Sequence, residues 1–114
     1  MKQMILMRTD LNMRKGKMIA QGCHATMKAT LENMDHPSVK EWLAGPFKKI
    51  VVKVDSELEL LVRLKMAHDA GLIHALITDA GLTEFNGVPT NTCGAIGPAT
   101  DEELKPITGD LGLL

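Results

Sequence analysis

The sequence contains no tyrosine, one tryptophan, two phenylalanines and two cysteines among its 114 residues. So few aromatic rings argue against a protein that stacks single-stranded bases on aromatic side chains. Two cysteines are too few for a disulfide framework, so we expect both thiols to be reduced. No Cys-x-x-Cys or His-x-x-x-His spacing occurs, which argues against a structural zinc site.

Long apolar runs are also missing, and the longest are strand-sized pieces such as residues 4–7. A membrane-spanning helix needs about 20 apolar residues, so no membrane partner is expected. The first residues lack the apolar segment of a secretory signal peptide, which predicts a cytoplasmic protein. With 45% hydrophobic and 24% charged residues, the composition predicts one globular domain over residues 1–114.

The net charge of −1 conceals an uneven distribution along the chain. Residues 1–54 contain ten Lys and Arg against four Asp and Glu, a net charge of +6. Residues 55–114 contain three against ten, a net charge of −7. Either the N-terminal half binds a polyanion, or the folded surface interleaves the two halves and cancels the field. Charge alone favours the second interpretation.

Residue patterns predict secondary structure in the order β-α-α-β-α-β-β-α. The predicted strands are residues 3–8, 48–54, 73–78 and 93–96. The predicted helices run from about 15 to 33, from 38 to 44, from 57 to 70 and onward from 101. Strands separated by helices favour parallel pairing, and the last two strands, which have no helix between them, allow an antiparallel strand. The sequence therefore predicts an α/β fold, a three-layer α/β/α domain with a small four-stranded mixed sheet.

Apolar residues at helical spacing predict the buried faces of the two longest helices. In the first helix they are Ile19, Cys23, Met27, Leu31 and Met34. In the third helix they are Leu58, Leu61, Val62, Met66 and Ala70. The first helix has a second, polar stripe, formed by Lys17, Gln21, His24 and Lys28. That stripe is either a solvated face, which is the commoner case, or a functional one.

Two residues of the chain are placed where they could carry chemistry. Lys17 lies in the first turn of a helix, where free N–H groups and the helix dipole already attract anions. Arg14 and Lys15 add positive charge there, which suits a phosphate or an oxyanion. Asp79 ends a strand and opens a loop, so it is either a general base or water-positioning group, or a turn residue that organises the loop.

Several segments match one known family, in order and along the whole chain. Residues 8–17, Arg-Thr-Asp-Leu-Asn-Met-Arg-Lys-Gly-Lys, with Ala20-Gln21 and His24-Ala25, resemble the N-terminal signature of type 2 peptidyl-tRNA hydrolases. Further motifs of that family resemble segments 49–56, 79–83, 90–92, 95–98 and 108–114. The resemblance implies a four-stranded mixed sheet flanked by helices, often in a dimer. It also implies hydrolysis of the ester joining a peptide to tRNA, without a metal or other cofactor.

The resemblance assigns catalytic roles to five residues: Lys17, His24, Asp79, Thr83 and Thr92. The basic residues expected to contact tRNA phosphates are Arg14, Lys15, Lys28, Lys48 and Lys49. Two positions depart from the usual pattern, since Leu82 replaces a basic residue and Pro89 a glycine. Besides an enzyme for peptidyl-tRNA or a related ester, the sequence allows a non-catalytic tRNA-binding or protein-interaction module on the same fold. The retained catalytic set favours the enzyme.

Overall fold

The computed structural model describes residues 1–114 and contains the eight elements in the predicted order. The strands are β1 (Lys2–Arg8), β2 (Lys49–Val54), β3 (His74–Asp79) and β4 (Thr90–Ala99). The helices are α1 (Lys15–Leu31), α2 (Pro37–Ala44), α3 (Glu57–Asp69) and α4 (Asp101–Thr108). The predicted α/β class is confirmed, while β4 is considerably longer than the predicted segment 93–96.

The four strands form one mixed sheet in the order β2-β1-β4-β3. Strand β1 is parallel to β2, and β4 is antiparallel to both of its neighbours. The prediction of an antiparallel strand is therefore confirmed. Strands β1, β2 and β3 all end at one end of the sheet, where β4 begins. We call this the upper end, defined by Arg8, Val54, Asp79 and Thr90.

Helices cover both faces of the sheet and give the predicted three layers. Successive residues of β1, such as Leu6 and Met7, point to opposite faces and join different core clusters. The cluster under α3 and α4 includes Leu6, Leu60, Leu64, Ile96 and Leu104. The cluster under α1 and α2 includes Met7, Ala25, Ala29, Val39 and Cys93. None of the helices is long and apolar enough to span a membrane.

The buried face of α1 is not the predicted one. The residues predicted to be buried, Ile19, Cys23, Met27, Leu31 and Met34, are exposed instead. The buried residues of this helix are Gln21, Ala25, Ala29 and Thr30. A Cβ on Gly22 would make ordinary van der Waals contact with a Met7 side-chain atom at 3.7 Å, and Ala25 and Ala29 are fully buried against the sheet. Small residues therefore face the sheet, and the larger apolar ones point away from it.

The prediction for α3 was wrong in the same way. Leu58, Leu61, Val62 and Met66 are exposed, whereas Leu60, Leu64 and Ala67 are buried. This helix carries apolar residues on two faces, so periodicity alone does not choose between them. The predicted helix ends are confirmed. Ser56 caps α3 by accepting a hydrogen bond from the Glu59 N–H, and Gly71 follows the helix with a φ of +72°.

Candidate active site

The upper end of the sheet brings together three residues that are far apart in the sequence. Lys17 Nζ, from the first turn of α1, donates to Asp79 Oδ1 at 2.8 Å and to Thr83 Oγ1 at 2.9 Å. The side chains of Lys17 and Asp79 are only 13% and 14% exposed. An ammonium group carries three protons. Two are used within the site, so the third is left for a bound ligand.

Asp79 is held as an ionised carboxylate. Its pKa lies below the ordinary value, mainly because Lys17 donates a hydrogen bond to it, while partial burial opposes the shift. The Gly81 N–H, which donates to Asp79 Oδ2 at 2.9 Å, and the nearby charges of Lys17 and His24 lower the pKa further. A carboxylate stabilised in this way is a weak base. The arrangement suits it to hold Lys17 and orient a water molecule rather than to remove a proton.

The loop after β3 places Thr83 next to Lys17, and Gly81 makes this loop possible. Gly81 has a φ of +82°, and a Cβ at this position would collide with the backbone of Val88. The chain closes on itself there, because the Gly87 N–H donates to the Gly81 carbonyl at 2.7 Å. Lys17 Nζ also lies 5.7 Å from the centre of the Phe85 ring, within the range of a cation–π contact.

Thr92 belongs to the same site but does not face open solvent. It is fully buried, and its hydroxyl donates to Gln21 Oε1 at 2.5 Å. Because Oε1 accepts this bond, the amide NH₂ group of Gln21 turns toward Asp79, where Nε2 lies 3.4 Å from Oδ1. Thr92 therefore contacts Asp79 only through Gln21.

A β-bulge explains why Thr92 points toward α1. Ile77 of β3 pairs with Cys93, but the next residue, Thr78, pairs with Asn91, so Thr92 is the extra residue. In a regular strand Thr92 and Cys93 would point to opposite faces. The bulge instead directs both side chains to α1, where Cys93 Sγ donates to a backbone carbonyl at 3.3 Å. Burial raises the pKa of this thiol to about 11, so Cys93 is a packing residue.

Comparison with known proteins gives matches over the full chain. The family described as "Peptidyl-tRNA hydrolase PTH2" matches residues 1–114. This chain belongs to the PTH2 family. Proteins named peptidyl-tRNA hydrolase are 46% identical in Methanocaldococcus jannaschii and 41% identical in Methanothermobacter thermautotrophicus, over 100% of both chains in each case. A protein of that name in Halobacterium salinarum is 47% identical over 99% of both chains.

Of the five residues given catalytic roles, this PTH2 family member brings Lys17, Asp79 and Thr83 into direct contact. His24 is exposed on α1 and makes no hydrogen bond. Its electrostatic interaction with Asp79 contributes to the lowered pKa of that carboxyl group. Gln21 was not assigned a role from the sequence, although it stands four residues after Lys17 on the same helical face. This spacing is the feature of the sequence that points to Gln21, which belongs to the polar stripe of α1.

The five predicted tRNA-binding residues of this PTH2 family member do not form one cluster. Arg14 and Lys15 are exposed at the start of α1, next to the site. Lys28 Nζ donates to the Leu76 carbonyl of β3 at 3.1 Å. Lys48 and Lys49 lie at the start of β2, at the opposite end of the sheet from Asp79.

The start of α1 lacks the features that usually neutralise a helix N-terminus. No side chain caps it, and its first turn contains no acidic residue. Its free N–H groups and the partial positive charge of the dipole therefore add to the charges of Arg14, Lys15 and Lys17. Two acidic groups lie nearby: Asp79, which is paired with Lys17, and Glu84, whose Oε1 lies 3.8 Å from Arg14 Nε. In this PTH2 family member, the site is electrostatically suited to an anionic substrate.

Proposed function

We infer that this chain hydrolyses the ester bond of peptidyl-tRNA, releasing the peptide and free tRNA. The observation that carries this inference is the partly buried contact of Lys17 with Asp79 and Thr83, in a chain that matches the PTH2 family over its full length. A protein that only binds tRNA or another protein has no need for a mostly buried carboxylate beside a phosphate-binding surface. No observation favours the non-catalytic alternative.

The chemistry requires water to attack the ester carbonyl and the carbon–oxygen bond to the ribose to break. We assign Asp79 to orienting the water and the third proton of Lys17 to stabilising the oxyanion that develops on the carbonyl. Thr83 fixes the direction of the Lys17 ammonium group. His24 supplies an imidazole, a group that accepts and donates protons, for transfer of the water proton toward the leaving ribose oxygen. The residues of the chain suffice for these steps.

Substrate choice tests this function. We expect the protein to hydrolyse N-acetyl-aminoacyl-tRNA and to leave aminoacyl-tRNA with a free α-amine largely intact. The reason is that Lys17 and the positive end of α1 repel an α-ammonium group, and Asp79 is already paired with Lys17. The measurement is the initial rate of tRNA release from both forms of the same aminoacyl-tRNA. Equal rates would contradict the assignment.

We propose that tRNA binds first at Arg14 and Lys15 and extends over Lys28, Lys48 and Lys49. The first two side chains are exposed beside the site and are free to contact phosphates. The last two lie at the opposite end of the sheet. A nucleic acid that contacts both groups has to extend along the direction of the strands.

The salt dependence of tRNA binding shows which of these residues contact phosphates. Each phosphate contact contributes about 0.7–0.9 to the slope of log K against log[salt], so neutralising a contacting residue lowers the slope by about that amount. We expect Arg14→Gln combined with Lys15→Gln to lower the magnitude of the slope by about 1.4–1.8 and to weaken tRNA binding. Lys48→Gln combined with Lys49→Gln is expected to act in the same direction. An unchanged slope in the second pair would remove the far end of the sheet from the interface.

We also propose that the protein is a homodimer formed through α1 and acts in the cytoplasm, where translation takes place. The outward face of α1 exposes Ile19, Met27 and Leu31, and Met34 is exposed just after the helix. Between α1 and β2 it borders an apolar groove of about 490 Å³, which Val51 and the C-terminal Leu114 also line. Contiguous apolar surface of this kind marks an interaction site, and a second copy would cover it with the same residues.

A charged residue introduced at the centre of the proposed interface tests whether the dimer forms there. We expect Met27→Asp to shift the sedimentation coefficient from that of a dimer to that of a monomer, because an unpaired carboxylate would be buried in the interface. The matched control is Leu58→Asp on α3, an equally apolar and exposed position on the other face of the sheet. If only the Leu58 variant dissociates, the interface lies on α3 instead.

A further inference from the structure

The two outer strands of the sheet differ in what covers their edges. The end of the chain occupies the edge of β2, where the Lys53 N–H donates to Gly112 at 2.9 Å and the Leu114 N–H donates to Val51 at 3.1 Å. No segment pairs with the outer edge of β3. An open strand edge is a template for a further strand. The open edge is also the one that ends at Asp79.

The pairing of β3 with β4 determines which backbone groups are available at this edge. At the lower end of β3, the Gly97 N–H donates to the Ile73 carbonyl at 2.8 Å, so the backbone of Ile73 faces β4. In an antiparallel pair, the residues whose backbone groups face the partner alternate along the strand. The residues whose N–H and carbonyl groups face outward are therefore His74, Leu76 and Thr78.

Lys28 shows that an outside donor reaches this edge. Its ammonium group donates to the outward carbonyl of Leu76 at 3.1 Å. A lysine in this position shields an edge strand from pairing with another chain. The carbonyl of Leu76 is therefore accessible to a hydrogen-bond donor from outside the sheet.

We propose that the open edge of β3 binds the peptide part of peptidyl-tRNA as an added parallel strand. This rests on the proposed function, which places the ester carbonyl at Lys17 and Asp79. With its carboxyl end at the top of β3, the peptide runs down the edge past Thr78, Leu76 and His74, a length of about 13 Å. The recognition uses backbone hydrogen bonds, so it accepts peptides of any sequence.

Substrates with single N-methylated amides test the proposal on the unaltered protein. The series compares N-acetyl-aminoacyl-tRNA, an N-acetyl-tetrapeptidyl-tRNA and variants of the latter with one amide N–H replaced by N-methyl. We expect kcat/KM to be higher for the tetrapeptide, and to fall about three- to tenfold when an N–H that faces β3 is methylated. The sensitive positions should alternate with insensitive ones, because only every second residue of a strand faces its neighbour. A general steric effect would not alternate.

A proline substitution tests the same bonds from the side of the protein. Leu76→Pro removes an outward N–H without breaking the ladder to β4, a place where an edge strand accepts proline. Leu76→Ala is the matched control, because both variants lose the same packing against the core but alanine keeps the N–H. We expect the advantage of the tetrapeptide over N-acetyl-aminoacyl-tRNA to shrink about three- to tenfold in Leu76→Pro and to persist in Leu76→Ala.

The outcomes separate this proposal from the proposed function. If N-acetyl-aminoacyl-tRNA is not hydrolysed at all, the proposed function fails. If it is hydrolysed, but the rate does not depend on peptide length and no methylated position reduces it, only the binding of the peptide to β3 is overturned. If Leu76→Pro does not fold, the methylation series still decides, since it uses the unaltered protein.

Discussion

In the Lys17→Met protein, kcat for peptidyl-tRNA is expected to fall by about 10²- to 10³-fold, with a much smaller change in KM. Methionine keeps most of the side-chain length but removes the ammonium group that lies 2.8 Å from Asp79 and 2.9 Å from Thr83. The expected effect is large because, in the proposed mechanism, the remaining N–H of the same ammonium group stabilises the oxyanion. The measurement is the hydrolysis rate at saturating N-acetyl-aminoacyl-tRNA.

The loss should not result from unfolding. A cation in the first turn of a helix is slightly unfavourable, which offsets the loss of the ion pair with Asp79. We therefore expect a small change in the thermal unfolding midpoint and a rise in the pKa of Asp79 toward its ordinary value. Lys40→Met, which removes an exposed charge from α2, should leave kcat unchanged. A Lys17→Met protein with normal kcat would remove Lys17 from the mechanism.

The order of helices and strands along the chain and the presence of an antiparallel strand could be predicted, because they depend on local signals. Caps such as Ser56, the glycine that follows α3 and the helix-starting Pro37 determine where elements begin and end. The absence of a helix between β3 and β4 then makes them antiparallel. These features require no knowledge of which surfaces finally meet.

The buried faces of α1 and α3 could not be predicted in this way. Hydrophobicity ranks Ile19 and Met27 above Ala25 and Ala29, yet the alanines are fully buried. The distance between the helix and the sheet decides which residues are buried. That distance is a tertiary property that the sequence pattern does not contain. If α1 forms the proposed dimer interface, its larger apolar residues face a second copy rather than the core.

The structure places Lys17, Asp79 and Thr83 in contact. The sequence singles out Lys17 and Asp79 by residue type and location, and the family resemblance adds Thr83, whereas their catalytic roles stay predictions. Gln21 is ordinary in a polar stripe, and only the structure shows that it lies between Asp79 and Thr92. The orientation of Thr92 depends on a bulge in β4, which results from strand pairing with β3 rather than from a local motif.

Asp79→Asn is the second substitution with a large expected effect. Asparagine keeps the shape of the side chain and an oxygen that accepts the Gly81 N–H, so the loop should stay in place. The charge that holds Lys17, and that orients water in the proposed mechanism, is lost. We therefore expect kcat to fall by about 10²-fold or more with a modest change in KM. The measurement is kcat together with the thermal unfolding midpoint.

The pH dependence follows from the lowered pKa of Asp79. Since the folded protein favours the ionised form, this carboxylate stabilises the fold above the ordinary value of 3.8, and the contribution is lost as pH falls through the lower folded value. Between about pH 5 and pH 8 Asp79 stays ionised, so any change of kcat in this range must come from another group. The Asp79→Asn protein should lose less stability than the unaltered protein when both are brought to acid pH.

The matched control for Asp79→Asn is Asp69→Asn. Asp69 is a surface carboxyl group on α3 whose pKa is also lowered, chiefly by a hydrogen bond from Lys65, but it lies outside the site. The control should keep the kcat of the unaltered protein, because its ion pair touches no residue of the cleft. If Asp79→Asn also keeps its kcat, Asp79 does no more than hold the loop through Gly81. A fall of kcat in the Asp79 variant alone, with both proteins folded, assigns the carboxylate to the reaction.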